Sequence, residues 1–292
     1  MLDPRGPYHR PLDVLVLGIA QDGGHPQAGC VRPCCTGPAA HRVCSLAVLD
    51  RAARRWWLVD ASPDLPSQLR QVHALGLPML PEAILLTHAH IGHYAGLFHL
   101  GREVMGAHGV PVYALPRMAA FLRRHGPWEQ LVRLGNIVLH EVSAGETLPL
   151  GPLRATPILV PHRGEYSETA AWELAGPPHA QGVRPGGALY LPDLDHWGPG
   201  TEALEERLPD YGAVYLDGTF FDDPALPGRD AAEVPHPPMR ASMVRLGRRG
   251  AAVRFLHLNH SNPALDPASK AASEVRDRGF VVAEEGELRP LG

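Results

Sequence analysis

Long apolar runs are missing from this sequence of 292 residues. None approaches the roughly 20 residues that a helix needs to cross a bilayer, so no membrane partner is expected. The chain also has no excess of basic charge, because the formal net charge is −4, and lysine is nearly absent, with Lys270 the only one. Nucleic-acid binding needs a patch of basic side chains with interleaved aromatics, and without one we expect no nucleic-acid partner.

A secretory signal is missing as well. The first seven residues contain an acid and two prolines, where a signal peptide has a basic start and then an apolar stretch. This favours a cytoplasmic protein. Hydrophobic residues make up 45% of the chain and charged residues 20%, which is ordinary globular usage. Large α/β folds often reach this length as one unit, so residues 1–292 are interpreted as a single domain.

Cysteine is rare, and its placement is informative. The four cysteines are Cys30, Cys34, Cys35 and Cys44, all within one short segment. Disulfides are uncommon in cytosolic proteins, where such a cluster more often holds a metal.

Short apolar segments alternate with helical ones along the chain, separated by turns rich in the 31 prolines and 31 glycines. This alternation predicts an α/β fold. Helices are predicted at residues 66–75, 94–107, 117–124 and 242–246. Strands are predicted at residues 12–18, 44–49, 56–59, 83–86, 110–114, 137–142, 155–160, 169–174, 188–191, 213–216 and 253–258. The long loop 217–240 is interpreted as a wall or lid of a site.

Three histidines lie within six residues directly after the strand predicted at 83–86. They are His88, His90 and His93. Neutral imidazole binds zinc, iron and related divalent ions, and a sharp turn after a strand lets such closely spaced rings converge. A His-rich polar loop is the alternative, but each buried ring would then need its own partner. The motif therefore indicates a metal site.

This motif, with Asp60 at an earlier strand end and His162 after a later strand, resembles the metallo-β-lactamase fold superfamily. The resemblance implies an αβ/βα four-layer sandwich with its metals at the edge of two sheets. It makes His88, His90 and His162 the ligands of a first metal. His93, Asp193 and His257 would hold a second.

Two acidic positions in this resemblance allow more than one interpretation. Asp60 matches an acid that orients the ligand loop by hydrogen bonds, although it could instead cap a turn. Asp193 matches the bridging aspartate, with Asp195 and Asp217 as rivals. Asp193 is preferred because it follows a strand at the right place in the order.

Gly92 departs from the family motif, which has a metal-binding aspartate at this position. Glycine offers no side-chain donor, so the second site keeps three ligands and whatever water binds there. We expect a filled first site and a second site that is weak, empty or selective for another ion.

The cysteine cluster resembles a structural zinc site found in the phosphoribosyl cyclic phosphodiesterase branch of the superfamily. There, three cysteines and a histidine three residues after the last catalytic ligand hold a structural zinc. Cys30, Cys34, Cys35 and His260 would form this closed tetrahedral site. Arg32 stands at the family's middle position, so Cys34 has to substitute; otherwise Cys34 or Cys44 is simply a buried thiol.

A further likeness, to the pyrroloquinoline quinone biosynthesis protein B family, extends nearly end to end. It rests on the glycine loop 17–27 and on the segments 216–220 and 259–263. That family typically lacks several histidines present here, so this metal site is closer to the hydrolase pattern.

Hydrolysis of an ester, lactone or phosphodiester by a metal-activated water is therefore the first hypothesis. His236 would protonate the leaving group or hold an oxyanion. Expected cofactors are one or two Zn²⁺ ions in the active site and one structural Zn²⁺, with Fe²⁺ or Mn²⁺ as further options for the active site. An iron-dependent oxygenase and a non-catalytic carrier of a small molecule or metal are the alternatives. The expected partner is a small-molecule substrate, and the oligomeric state is not indicated.

Overall fold

Two mixed β-sheets of seven strands each form the centre of the protein. The computed structural model describes residues 12–177, 186–222, 233–250 and 252–291. The first seven residues, on which the cytoplasmic prediction depends, lie outside these ranges, as do residues 223–232 of the long loop. The single domain over residues 1–292 stays a prediction.

The strands are β1 (Leu12–Gly18), β2 (Ser45–Asp50), β3 (Arg55–Val59), β4 (Ala83–Leu85), β5 (Val110–Ala114), β6 (Ile137–Glu141), β7 (Leu148–Leu150), β8 (Leu153–Val160), β9 (Thr169–Ala175), β10 (Ala188–Leu191), β11 (Ala213–Asp217), β12 (Val253–Leu256), β13 (Val281–Val282) and β14 (Leu288–Leu291). The α-helices are α1 (Pro33–Thr36), α2 (Leu65–Ala74), α3 (Ile91–Tyr94), α4 (Pro116–Arg124), α5 (Trp128–Arg133), α6 (Glu202–Arg207), α7 (Met239–Leu246) and α8 (Lys270–Asp277). No helix in the described ranges is long and apolar enough to cross a membrane.

The order of strands is β14-β1-β2-β3-β4-β5-β6 in the first sheet and β13-β12-β11-β10-β9-β8-β7 in the second. Strands β3 to β6 are parallel in the first sheet, and strands β10 to β13 are parallel in the second. The carboxyl ends of parallel strands meet at one edge of a sheet, where α/β proteins bind their ligands. This edge carries the predicted metal ligands.

Three apolar clusters define the layers. One lies between the sheets and contains Trp57, Trp172 and Tyr190. A second joins the outer face of the first sheet to α2 and α4, and a third joins the outer face of the second sheet to α7 and α8. The layers therefore run helix, sheet, sheet, helix, which confirms the predicted αβ/βα sandwich.

Two hydrogen bonds join the sheets beside the histidine motif. The indole N–H of Trp172 donates to the carbonyl of Leu86 at 3.1 Å, and the N–H of Ala170 donates to the carbonyl of Thr87 at 3.1 Å. A buried carbonyl left without a partner costs about 1–3 kcal/mol. These bonds hold the segment that leads from β4 into the histidines.

The predicted strands are confirmed to within two residues at each end. The single helix predicted at residues 94–107 is wrong, because α3 ends at Tyr94 and a 3₁₀ helix follows over Ala95–Leu100. Gly96 packs so tightly that an added Cβ would lie 2.0 Å from the carbonyl oxygen of Ser62. The pattern also missed α1, α5, α6, α8, β7, β13 and β14, none of which is longer than eight residues.

Candidate metal centre

Polar side chains follow the carboxyl ends of strands in both sheets, on the same side of the protein. Asp60 follows β3, His88 follows β4 by two residues, Asp193 follows β10 and His257 follows β12 directly. Asp60 and His257 adopt left-handed backbone conformations, with φ of 61° and 59°. Such conformations cost a non-glycine residue on the order of 1–3 kcal/mol, and proteins concentrate them at functional sites.

Five imidazole rings have their Nδ1 atoms fixed by an oxygen atom. The pairs are His88 with Thr87 Oγ1 at 3.0 Å, His93 with Asp60 Oδ2 at 2.7 Å, His162 with Asp195 Oδ1 at 2.8 Å, His236 with Asp217 Oδ2 at 2.6 Å, and His257 with Thr219 Oγ1 at 3.0 Å. Contacts of this kind determine which ring nitrogen faces a metal. Here they turn Nε2 inward.

The inward-facing atoms lack partners. Within the described ranges, Nε2 of His88, His93, His236 and His257 and Oδ2 of Asp193 are buried without a hydrogen-bond partner. Buried polar atoms are almost always paired, so a cluster of unpaired donors and acceptors needs an explanation. Divalent cations bound here would satisfy the atoms of His88, His93, His257 and Asp193.

The spacing of the donor atoms fits such an ion. Asp193 Oδ2 lies 3.1 Å from His93 Nε2, while Asp193 Oδ1 lies 3.5 Å from His162 Nε2 and 3.6 Å from His257 Nε2. Zinc bonded at about 2.0–2.1 Å in a tetrahedron separates its ligand atoms by about 3.3 Å. The residues present therefore fit a divalent metal.

His88, His90, His162 and Asp193 form the first centre. Each offers a ligand atom, and these atoms all lie within 4.8 Å of one another. His90 Nδ1 lies 3.1 Å from His162 Nε2, and the other ring nitrogen of His90 lies 3.2 Å from Glu165 Oε2. The structure thus brings together the ligands predicted for the first metal, joined by the bridging aspartate.

The residues predicted for the second metal, His93, Asp193 and His257, lie beside one another, and we call this region the second centre. Two further residues, which were not predicted as ligands, lie in this region. His236 groups with Asp193 and His257, and Cys44 groups with His93 and His257. Cys44 Sγ also accepts a hydrogen bond from the hydroxyl of Tyr190 at 3.5 Å.

The three aspartates considered for the bridging position lie at different places in the structure. Asp193 lies between the two centres. Asp195 and Asp217, its rivals in the sequence, instead hold the rings of His162 and His236. Asp60 accepts from the Thr87 N–H and hydroxyl as well as binding His93. These bonds tie the ligand loop to the end of β3, and a role for Asp60 in orienting the ligands stays a prediction.

Burial and neighbouring charges set the protonation of the site. Burial and the nearby His93 hold the pKa of His88 well below its usual value. Burial also lowers the pKa of His93, but the carboxylates of Asp60 and Asp193 outweigh this and raise it well above its usual value. Burial raises the pKa of Asp193, yet the rings of His257, His93 and His88 bring it well below the ordinary range. A neutral His88 and an ionised Asp193 are the forms that bind metals, whereas a metal that binds His93 has to displace a proton from its ring.

The N-terminal cysteines form a separate cluster with His260. Cys30 Sγ lies 3.9 Å from Cys34 Sγ, which lies 4.0 Å from Cys35 Sγ. Zinc–sulfur bonds of 2.3 Å in a tetrahedron give about 3.8 Å between sulfurs. The ring of His260 places its Nε2 3.0 Å from Arg32 Nη2 and leaves its Nδ1 buried and unpaired among the described residues.

The thiols of this cluster differ in acidity. The backbone N–H of Arg32 lowers the pKa of Cys30 to about 7, and burial raises the pKa of Cys35 to about 11. Cys34 takes part in the cluster, so Arg32 at the middle position does not prevent three thiols from meeting. Cys44 lies apart and is fully buried.

Known proteins share this architecture. Residues 55–281 match the beta-lactamase superfamily domain. The chain is 29% identical to coenzyme PQQ synthesis protein B of Ruegeria pomeroyi, over 94% of this chain and 98% of that protein. Its Xanthomonas campestris counterpart is 27% identical over the same shares.

Two solved structures have a similar fold. One is Zn²⁺-bound PqqB from Methylobacterium extorquens, with a TM-score of 0.76 and 23% identity, covering 94% of this chain and 99% of that one. The other is a diphosphatase from the PhnP family, with a TM-score of 0.70 and 21% identity, covering 96% and 97%. At these identities the likeness shows the fold alone.

Replacing Asp60 or Asp195 by asparagine should affect the two metal centres differently. Asp60→Asn loosens the ring of His93 directly and that of His88 through Thr87, so we expect metal affinity at both centres to fall by about 10–100-fold. Asp195→Asn loosens the ring of His162 and should lower affinity at the first centre only. Competition titration with a chromophoric chelator measures both. A loss at the second centre in Asp195→Asn, or unchanged affinity at either centre in Asp60→Asn, would contradict this assignment.

Replacing Cys35 by serine should remove about one equivalent of zinc from the protein and lower its melting temperature. A closed zinc site contributes directly to folding free energy, so its loss destabilises the native state. Elemental analysis and thermal unfolding provide the two readouts. Val31→Ser, at a position 87% exposed in the same loop, is the matched control and should change neither. Unaltered zinc content in Cys35→Ser would count against the structural site.

Proposed function

This chain belongs to the beta-lactamase superfamily, and on that premise we propose that it is a metal-dependent hydrolase. Its substrate would be an ester, lactone or phosphodiester, attacked by a water molecule activated at the metal centre. The proposal includes zinc as the ion of the cysteine cluster, Zn²⁺ or Mn²⁺ in the active site, and a cytoplasmic location.

The observation that carries the proposal is the convergence of unpaired donors on Asp193. Four buried imidazole nitrogens and one carboxylate oxygen face the same space without partners among the described residues. Leaving these groups unpaired would cost about 1–3 kcal/mol for each group. Selection for packing alone gives no reason to retain them, whereas metal binding does.

The site residues divide the chemical work between them. A divalent ion bound here supplies Lewis acidity and a bound water of lowered pKa. Asp193 presents one oxygen towards His93 and the other towards His162 and His257, so it sets the spacing of the two centres.

His236 is suited to protonating a leaving group. Its Nδ1 lies 2.6 Å from Asp217 Oδ2, and its Nε2 is buried, unpaired among the described residues and aimed towards Asp193 and His257. The carboxylate holds the ring so that a proton on Nε2 points into the site. This pairing of an imidazole with a buried carboxylate is the arrangement that general acid–base catalysis uses.

A groove beside the first centre would receive the rest of the substrate. It has a volume of about 280 Å³ and is lined by the side chains of Arg117, Ala120, Phe121, Arg124, His125, Glu165 and Tyr166. Glu165 links it to the centre through His90. Two guanidinium groups next to aromatic rings favour an anionic group joined to an apolar or aromatic part.

Oxidative chemistry is a second candidate. The observation in its favour is the similarity over 94% of the chain to proteins named for coenzyme PQQ synthesis. Imidazole and carboxylate ligands also suit Fe²⁺, which activates dioxygen. A non-catalytic carrier is the remaining alternative, and no specific observation favours it.

Hydrolysis should survive the removal of oxygen. We expect protein reconstituted with Zn²⁺ or Mn²⁺ to cleave a nitrophenyl ester, a lactone or a phosphodiester from a test panel under anaerobic conditions. His90→Ala should lower kcat/KM by about 100-fold or more. A bound metal stabilises the transition state by several kcal/mol, and each loss of about 1.4 kcal/mol lowers the rate tenfold. His140→Ala, at an exposed histidine, is the control. Turnover that requires Fe²⁺ and consumes oxygen would favour the oxygenase, and His90→Ala with full biological activity would favour the carrier.

Arg124→Ala should raise KM for an anionic substrate about tenfold or more and leave kcat nearly unchanged. A hydrogen bond to a charged group contributes about 1.5–3 kcal/mol, and a contact outside the reacting centre acts on binding. Steady-state kinetics with anionic and neutral substrates of equal size measure the effect. The adjacent Arg123 pairs with Glu141 away from the groove, so Arg123→Ala is the control. A fall in kcat alone would place Arg124 elsewhere in the mechanism.

A further inference from the structure

Asp22 enters the second centre from the glycine loop that follows β1. Backbone bonds hold this loop against the strand end that carries His257, because the N–H of Gln21 donates to Leu258 at 2.9 Å. Asp22 Oδ1 accepts from the N–H of Gly92 at 3.1 Å and lies 3.5 Å from His93 Nε2. A carboxylate distant in the sequence therefore lies at the edge of the second centre.

Gly92 leaves room for this carboxylate. A Cβ atom added at Gly92 would lie 2.1 Å from Asp22 Oδ1 and 2.8 Å from Asp22 Cα. Real Cβ atoms essentially never approach other heavy atoms closer than 3.0 Å. A side chain at position 92 and the side chain of Asp22 consequently exclude each other in this backbone.

We propose that Asp22 is the carboxylate ligand that completes the second metal centre with His93, Asp193 and His257. The missing donor at Gly92 is then replaced from another part of the chain. The resulting set of two imidazoles and two carboxylates suits a divalent ion. This inference concerns metal binding and extends the site on which the proposed hydrolase depends.

A capping role for Asp22 accounts for only part of the geometry. An acid that caps the short helix α3 would accept from the Gly92 N–H, as Asp22 does. Capping gives no account of why the same carboxylate lies 3.5 Å from His93 Nε2, a buried atom that has no hydrogen-bond partner among the described residues. The unpaired atoms of Asp193 and His257 border the same space. A metal ligand role accounts for all of them.

Asparagine at position 22 separates the two roles, because asparagine caps helices about as well as aspartate but binds metals poorly. We expect full-length Asp22→Asn to lose affinity for the second metal by more than the roughly 10–100-fold that an outer-shell loss costs. The first centre and the zinc of the cysteine cluster should stay filled. Elemental analysis and chelator competition with Zn²⁺ and Mn²⁺ measure this.

Exchanging the two residues gives an independent test. Gly92→Asp alone should destabilise the fold and lower the melting temperature, because its Cβ meets Asp22. The double variant Asp22→Gly, Gly92→Asp removes the contacts with the carboxylate but keeps the 2.8 Å approach to the Cα of residue 22. It should therefore recover the second metal and only part of the melting temperature. Recovery of the second metal supports exchange of one carboxylate for another.

Cys44→Ser is the matched control, since Cys44 is the other candidate donor beside His93 and His257. It should leave the metal count unchanged. Loss of the second metal in Cys44→Ser, or an Asp22→Asn protein that binds every metal with unchanged affinity, would overturn the proposal. These readouts do not involve turnover. Failure to hydrolyse any substrate therefore contradicts the proposed function and not this ligand assignment.

Discussion

The geometry of the site depends on one constraint: an imidazole buried away from water must satisfy both of its ring nitrogens. Five rings meet this constraint at Nδ1, where an oxygen of Thr87, Asp60, Asp195, Asp217 or Thr219 lies between 2.6 and 3.0 Å away. Each ring then has a fixed orientation, and its Nε2 is directed towards Asp193. The oxygens thus decide how the ring nitrogens are arranged, although none of these oxygens is itself proposed as a metal ligand.

The two sheets determine where the imidazole rings lie, and these oxygens then fix how each ring is oriented. Because β3, β4, β10, β11 and β12 all end at one edge, side chains from strands distant in the sequence arrive within a few ångströms of each other. The backbone is strained at the same edge, because Asp60 and His257 have positive φ angles. The bonds from β9 to Leu86 and Thr87 hold the two sheets in register there. The free energy that stabilises this arrangement comes from the apolar cluster between the sheets.

Much of the architecture could be predicted from the sequence, because buried strands are locally apolar and the ligands follow them directly. His88, His90 and His93 lie within six residues of each other, so their relationship is visible without a structure. Pairing across the fold could not be predicted in the same way. Strand β14 is short and has mixed polarity, and it forms because β1 pairs with it. Thr219 and Asp22 likewise acquire their contacts only when distant strand ends meet.

Gly92 shows why a missing ligand in a sequence is weak grounds for a missing site. In the sequence, glycine at this position removes a donor, whereas in the structure it removes a Cβ that would collide with a carboxylate. A donor that comes from the glycine loop after β1 can restore the charge of the site. With Asp22 in place, the second centre is richer in carboxylate than the first, which has three imidazoles and one carboxylate. Carboxylate favours harder ions such as Mn²⁺ more than imidazole does. The two centres then differ in the ions they prefer, because a different segment of the chain completes each one.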